Sequence, residues 1–122
     1  MAIPKRRKQL PGVYFITSRT WESRTLFTKE PVCRIFVETL HHYRVERIYQ
    51  LYAFVPMPEH FHVLLAPGAS SSLERAVQHV KGGSARKIGQ LLNLRFPVWQ
   101  RGFSDHRIRD VKDYEAHVRY IE

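Results

Sequence analysis

The segment from Ile48 to Ala66 restricts what this chain can fold into more than any other stretch. Ile48-Tyr49-Gln50-Leu51-Tyr52-Ala53-Phe54-Val55 and His60-Phe61-His62-Val63-Leu64-Leu65-Ala66 are rich in β-branched and aromatic residues, with Pro58 between them and Pro67-Gly68 behind. Such composition, length and punctuation predict two strands. The link Met57-Pro58-Glu59 is too short for a crossover, so the strands must form an antiparallel hairpin. Side chains alternate along a strand, so Phe61, Val63 and Leu65 point into a core while His60 and His62 share the opposite face. Two imidazoles held in parallel on a rigid strand are a natural pair of metal ligands. The same spacing also describes two surface histidines on a half-exposed strand, and spacing alone does not choose.

The remaining elements follow from periodicity. Val13 to Arg19, after Pro11-Gly12, reads as a first strand, and Trp21 to Phe27 as a loop. Val32, Ile35, Phe36, Leu40 and Tyr43 recur at helical spacing, which predicts a helix from Pro31 to about Arg44. Behind the hairpin, Ser71 with Glu74 reads as a capping box. The helix it opens buries Leu73, Ala76, Val77 and Val80, and its stripe resumes at Ser84, Ile88 and Leu91. Gly82-Gly83 interrupts the propensity without shifting the phase, so the helix either bends there or admits another backbone closely. Phe96 to Phe103 reads as a fourth strand, Asp105 to Arg109 as a connector, and Val111 onward as a last helix. The order β-α-β-β-α-β-α predicts an α+β, ferredoxin-like split β-α-β antiparallel sheet, with helices on one face and an appended C-terminal helix.

Composition narrows the partners. A chain of 122 residues forms one domain, read as a flexible basic arm over 1–10 and a folded unit over 11–122. No apolar run reaches the ~18 residues needed to span a bilayer. The single Cys33 excludes an internal disulfide and a Cys-based zinc site, and with no signal segment at the N-terminus it fits a reducing, cytoplasmic compartment. Twenty Lys and Arg against eleven acidic residues give +9, the electrostatic footprint of a polyanion partner. Nucleic acid leads over an anionic membrane, because no basic amphipathic helix carries a Trp/Phe-rich opposite face. The candidate DNA-binding set is Lys5, Arg6, Arg7 and Lys8 in the arm, Lys81, Arg86 and Lys87 on the second helix, and Arg101, Arg107 and Arg109.

The last helix holds a second clue. At about 100° per residue, Val111, Tyr114, Val118 and Ile121 share one apolar face. Tyr120 falls on the polar side with Asp113 and Ala116, so it is the tyrosine that packing does not require.

His60-Phe61-His62 after Pro58-Glu59 resembles the His-hydrophobe-His motif of the single-tyrosine HUH transposases of bacterial insertion elements. Tyr14-Phe15-Ile16-Thr17, Val80 to Ile88, Trp99 to His106, Ile108-Arg109-Asp110, Asp113-Tyr114 and Val118-Arg119-Tyr120-Ile121 agree with that family. The likeness spans about residues 11 to 122 and is nearest to the branch of REP-associated tyrosine transposases. It implies His60 and His62 as metal ligands for Mg²⁺ or Mn²⁺ and Tyr120 as nucleophile. It implies nicking and joining of single-stranded DNA beside hairpins through a 5′-phosphotyrosine, by a homodimer at the bacterial nucleoid. The family's third ligand, an Asn or Gln four residues past the tyrosine, would stand beyond Glu122, which predicts a C-terminally truncated unit.

Two rival classes remain. A non-catalytic single-strand nucleic-acid-binding module on the same fold would bind without a covalent product, although no RRM-type aromatic run is present. A His-x-His hydrolase or cupin-like oxygenase lacks its further ligands, because Leu64 stands where a third histidine would fall and the next Glu is Glu74.

Overall fold

A computed structural model describes residues 12–121; the basic run Lys5 to Lys8 lies outside the described residues. Among the described residues four strands, β1 (Tyr14–Arg19), β2 (Tyr49–Met57), β3 (His60–Pro67) and β4 (Ser104–Arg107), form one sheet in the order β2-β3-β1-β4. Every neighbouring pair is antiparallel. The helices are α1 (Glu30–Val45), α2 (Leu73–Leu92) and α3 (Val111–Ile121). This is the split β-α-β arrangement with an added helix. No described helix is long and apolar enough to cross a membrane.

The two sheet faces carry different cores. Ile16, Phe61, Val63 and Leu65 meet Val32, Phe36 and Leu40 of α1 and Ala76, Val77, Val80 and Ile88 of α2, together with Trp99. On the opposite face Leu64, Val13 and Ile108 meet Tyr114 of α3, with Val118 and Ile121 packed at the margin. The alternation along β3 therefore feeds two cores, and α3 covers only part of the second face. That incomplete cover leaves the His60 end of β3 accessible.

Several expectations are corrected. The fourth strand is Ser104–Arg107, not Phe96 to Phe103. Val98 and Trp99 are buried, but the segment contributes only the isolated bridge Thr20↔Trp99. Pro97 has no N–H to give a ladder, and Gly102 turns the chain at φ 78°. The carbonyls of Gln100 and Gly102 are taken by the Lys81 ammonium at 2.8 and 2.6 Å. Apolar content there marked burial rather than pairing, while the polar edge strand gave no hydrophobic signal.

The cap of α2 is Ser72, whose Oγ accepts the Arg75 N–H at 3.1 Å, one residue later than the Ser71 capping box. Leu91 is exposed, and Leu92 packs against the core instead. The stretch after β1 contains two short 3₁₀ turns, Trp21–Ser23 and Leu26–Thr28.

Helix α2 runs unbroken through Gly82-Gly83. Close approach explains Gly83: a β-carbon there would lie 3.0 Å from Tyr43 Cε2 and 3.2 Å from Thr39 Cγ2. The neighbour is thus the side chains of α1 rather than a backbone.

Candidate active site

His60 and His62 stand on one face of β3, as the alternation requires. In register, Thr17 of β1 lies opposite His62, and Arg19 opposite His60. The two Nε2 atoms approach to 3.1 Å. Each Nδ1 is held from behind: His60 by Glu59 Oε1 at 2.7 Å and His62 by Thr17 Oγ1 at 2.8 Å.

These partners fix the protons. An ionised carboxylate only accepts, so His60 Nδ1 carries hydrogen and its Nε2 offers a lone pair. With both rings neutral, His62 Nε2–H donates to that lone pair, and the Thr17 hydroxyl donates to His62 Nδ1. His62 is 8% exposed and stacks on Phe15 with centroids 5.0 Å apart. Burial, then the neighbouring His60, lowers its pKa, which keeps the imidazole neutral and able to ligate.

The donor set fits a cation. Metal–nitrogen bonds of about 2.1 Å at angles between about 90° and 109° separate two nitrogens by roughly 3.0–3.4 Å. The Nε2 pair already stands in that range. Only the His62 proton need move, to Nδ1, with the Thr17 hydroxyl turning to accept it. Outer partners of this kind orient metal-binding histidines.

Tyr120 is 68% exposed, on a strip of α3 with Asp113, Ala116 and His117 that lies off the Tyr114 stripe and turns toward Phe15 and His62. Its ring lies 5.3 Å from that of His62 and 6.1 Å from that of Phe15. Phe15, His62, Ala116, His117 and Tyr120 line one cavity of about 340 Å³. Tyr114, by contrast, is 3% exposed, and burial raises its pKa. The fold thus brings Tyr120 and the histidine pair together within one chain and puts Tyr114 in the core.

Beside this site lies a cluster that sequence reasoning missed. The Asp113 carboxylate accepts from His106 Nε2 at 2.9 Å and from the Arg109 backbone N–H at 2.9 Å. His117 Nδ1 donates to the Asp113 carbonyl at 2.9 Å and lies 3.3 Å from Asp113 Oδ1. Burial opposes ionisation of Asp113, but the Arg109 N–H and His106 outweigh it and hold the carboxyl below its usual range. His106, Asp113 and His117 can each bring a donor atom within 4.8 Å of the others, a group able to hold a cation. As it stands, their own hydrogen bonds satisfy them and tie α3 to β4. The i, i+4 spacing of Asp113 and His117 was a readable signal; the part played by His106 depends on β4 existing.

The predicted DNA-contacting residues disperse. Arg86 and Lys87 are exposed and line a cavity of about 470 Å³ with His42 and Tyr43, on the helix side of the sheet. Lys81 is committed to the two carbonyls noted above, and burial lowers its pKa. Arg107, opposite Tyr14 in register, lies on the helix-side face of β4. Arg109 is exposed, 3.6 Å from Asp113. Among the described members of the set, Arg101 alone stands in the loop beside β1, lining one cleft with Thr17.

Residues 13–122 match the family described as IS200-like transposase. The chain is 28% identical over 118 residues to the REP-associated tyrosine transposase of Escherichia coli K12, covering 88% of this chain and 67% of that protein. A REP-associated tyrosine transposase solved bound to a REP hairpin superimposes with a TM-score of 0.72 at 24% identity, over 99% of this chain and 70% of that one. A Deinococcus radiodurans R1 protein, described as a candidate transposase, gives 0.68 at 16% identity, over 99% and 95%.

Proposed function

Since the chain belongs to the IS200-like transposase family, we propose that it cuts and rejoins single-stranded DNA, with Tyr120 as nucleophile and His60 and His62 as the ligands of a divalent cation. The observation that carries this reading is the convergence of an exposed tyrosine ring, 5.3 Å from His62, on two Nε2 atoms 3.1 Å apart. The relative solved with a REP hairpin supports hairpin-flanked DNA as substrate.

The chemistry follows from these groups. Tyr120 Oη attacks a backbone phosphorus, the phosphorus–O3′ bond breaks, and a 5′-phosphotyrosine forms. The phenol proton leaves to solvent or base, and the departing 3′-oxygen takes one up. A phenol pKa of about 10 means Tyr120 needs electrostatic help at neutral pH. A bound Mg²⁺ or Mn²⁺ would supply charge stabilisation at the scissile phosphate, and imidazole donors favour Mn²⁺ over Mg²⁺. Glu59 and Thr17 hold the two rings in place, and Phe15 shields His62 from water. Because the ring and the histidines meet within one chain, we infer reaction in cis, whether or not two chains pair as the family resemblance implies.

The test is a denaturing gel of the protein with end-labelled hairpin DNA bearing single-stranded flanks, with Mn²⁺. A covalent adduct absent from Tyr120→Phe and His62→Ala, but retained by Tyr114→Phe, is expected. Adduct formation by Tyr120→Phe would overturn the assignment. Salt-sensitive binding with no adduct would favour the non-catalytic module.

A further inference from the structure

α3 covers only part of the face that carries the histidines, and β1 runs on past it to Arg19. Register puts Arg19 directly opposite His60, so its side chain emerges beside the histidine pair on the same face. Arg19 is exposed and, among the described residues, its side chain has no hydrogen-bond or ion-pair partner.

Along the other edge of β1 four hydrogen bonds fasten Gln100 and Gly102, the residues that flank Arg101. The Gln100 N–H donates to Arg19 O at 2.9 Å, and Ser18 Oγ donates to Gly102 O at 3.3 Å. The Lys81 ammonium grips Gln100 O and Gly102 O at 2.8 and 2.6 Å. This bracing holds Arg101, exposed and likewise without a side-chain partner among the described residues, on the same cleft as Arg19. The cleft has a volume of about 410 Å³, and Thr17, Phe103 and Ser104 also line it. Among the described residues no carboxylate does: Asp105 pairs in register with Ile16 and so lies on the other face of β4.

We propose that this cleft is a phosphate-binding groove for single-stranded DNA, in which Arg19 and Arg101 grip the backbone on the β4 side of the histidine pair. The inference rests on the single-stranded-DNA reading above and adds a strand path and a residue, Arg19, to it. Guanidinium forks match phosphate oxygens bidentately, the Ser104 hydroxyl can donate to the same oxygens, and Phe103 offers a ring edge to a base. Two unpaired guanidiniums at one cleft repel each other, and a polyanion relieves that repulsion. Lys81 acts here as a positioning residue, since its ammonium holds the loop that presents Arg101.

Binding of a fluorescent oligothymidine strand, followed by anisotropy across a salt series, tests the groove without needing cleavage. The variants are Arg19→Ala, Arg101→Ala, the double variant, and Arg34→Ala as control. Arg34 pairs with Glu30 at 2.8 Å on α1, on the far side of the sheet. Each groove arginine removed should lower the slope of log affinity against log salt by about 0.7, and the double variant should bind roughly tenfold weaker or worse. Arg34→Ala should match the parent, with circular dichroism confirming that all variants fold. If the double variant stays within twofold of Arg34→Ala, the groove is refuted while the nuclease reading stands. Arginine-dependent binding with no Tyr120 adduct refutes the nuclease chemistry but leaves the groove standing. A parent protein that fails to bind the strand refutes the groove, and the adduct assay on hairpin DNA then decides the nuclease reading by itself.

Discussion

Thr17→Val tests the second layer of the histidine site with the least change in shape. The hydroxyl lies 2.8 Å from His62 Nδ1, and valine replaces it with a methyl of similar size. Without cation, the substitution leaves a mostly buried imidazole nitrogen without its partner, a loss of about 1–2 kcal/mol. For a domain of this size that corresponds to a melting temperature lower by roughly 3–8 °C. With cation the effect changes character. The ligating form of His62 must carry its proton on Nδ1 and give it to Thr17, so valine leaves that proton unmatched and the ring free to rotate. Loss of such an outer partner typically weakens metal binding about 10–100-fold. Calorimetric titration with Mn²⁺ on the parent, Thr17→Val and Thr17→Ser reads this directly. Serine should restore most of the affinity, and the metal-free melts should rank the same way. Parent-like Mn²⁺ affinity in Thr17→Val, alongside complete loss in His62→Ala, would refute the claim that Thr17 sets the tautomer and orientation of His62.

Two further predictions follow from particular contacts. Gly82→Ala should stabilise the protein by about 0.5–1 kcal/mol, because its β-carbon meets nothing within 4 Å and alanine is the better helix former. Gly83→Ala should destabilise despite the same propensity gain, since its β-carbon meets Tyr43 at 3.0 Å; urea unfolding of the pair reads the difference in sign. Asp113→Asn should lower the melting temperature at neutral pH by loosening α3 from β4. The folded carboxyl is held below the usual range, so its contribution is present above the unfolded pKa of about 4 and fades as pH falls through the lower folded value. The gap between parent and variant should therefore close in acid, and a gap that persists to the lowest pH at which both stay folded would show that charge is not its source.

Much of the fold was legible because its strongest elements carry their own periodicity. The hairpin Tyr49–Met57 and His60–Pro67 follows from two apolar strands on a short link, and α1 and α2 follow from their stripes. Elements with little apolar content were not legible. β4 reads Ser-Asp-His-Arg and exists because β1 offers it an edge, while Val98 and Trp99 looked like a strand because they are buried. Local pattern reports burial, and pairing is one cause of burial among several.

The candidate site divides in the same way. Sequence by itself put His60 and His62 on one face, through a two-residue period that any strand obeys. It also singled out Tyr120 from Tyr114, through a helical period that leaves Tyr120 off the apolar stripe. Tertiary structure decided everything that crosses between elements. Strand register chose Thr17 as the partner of His62 and set Arg19 beside His60; a shift of one residue would have turned both away. Packing of α3 on the second sheet face put the Tyr120 ring over His62. The Lys81 ammonium, readable from sequence only as one more surface charge, is spent on holding a loop. Periodicity is a property of a segment, so sequence carries it; register and docking depend on which segments meet, and that is settled only when the two cores form together.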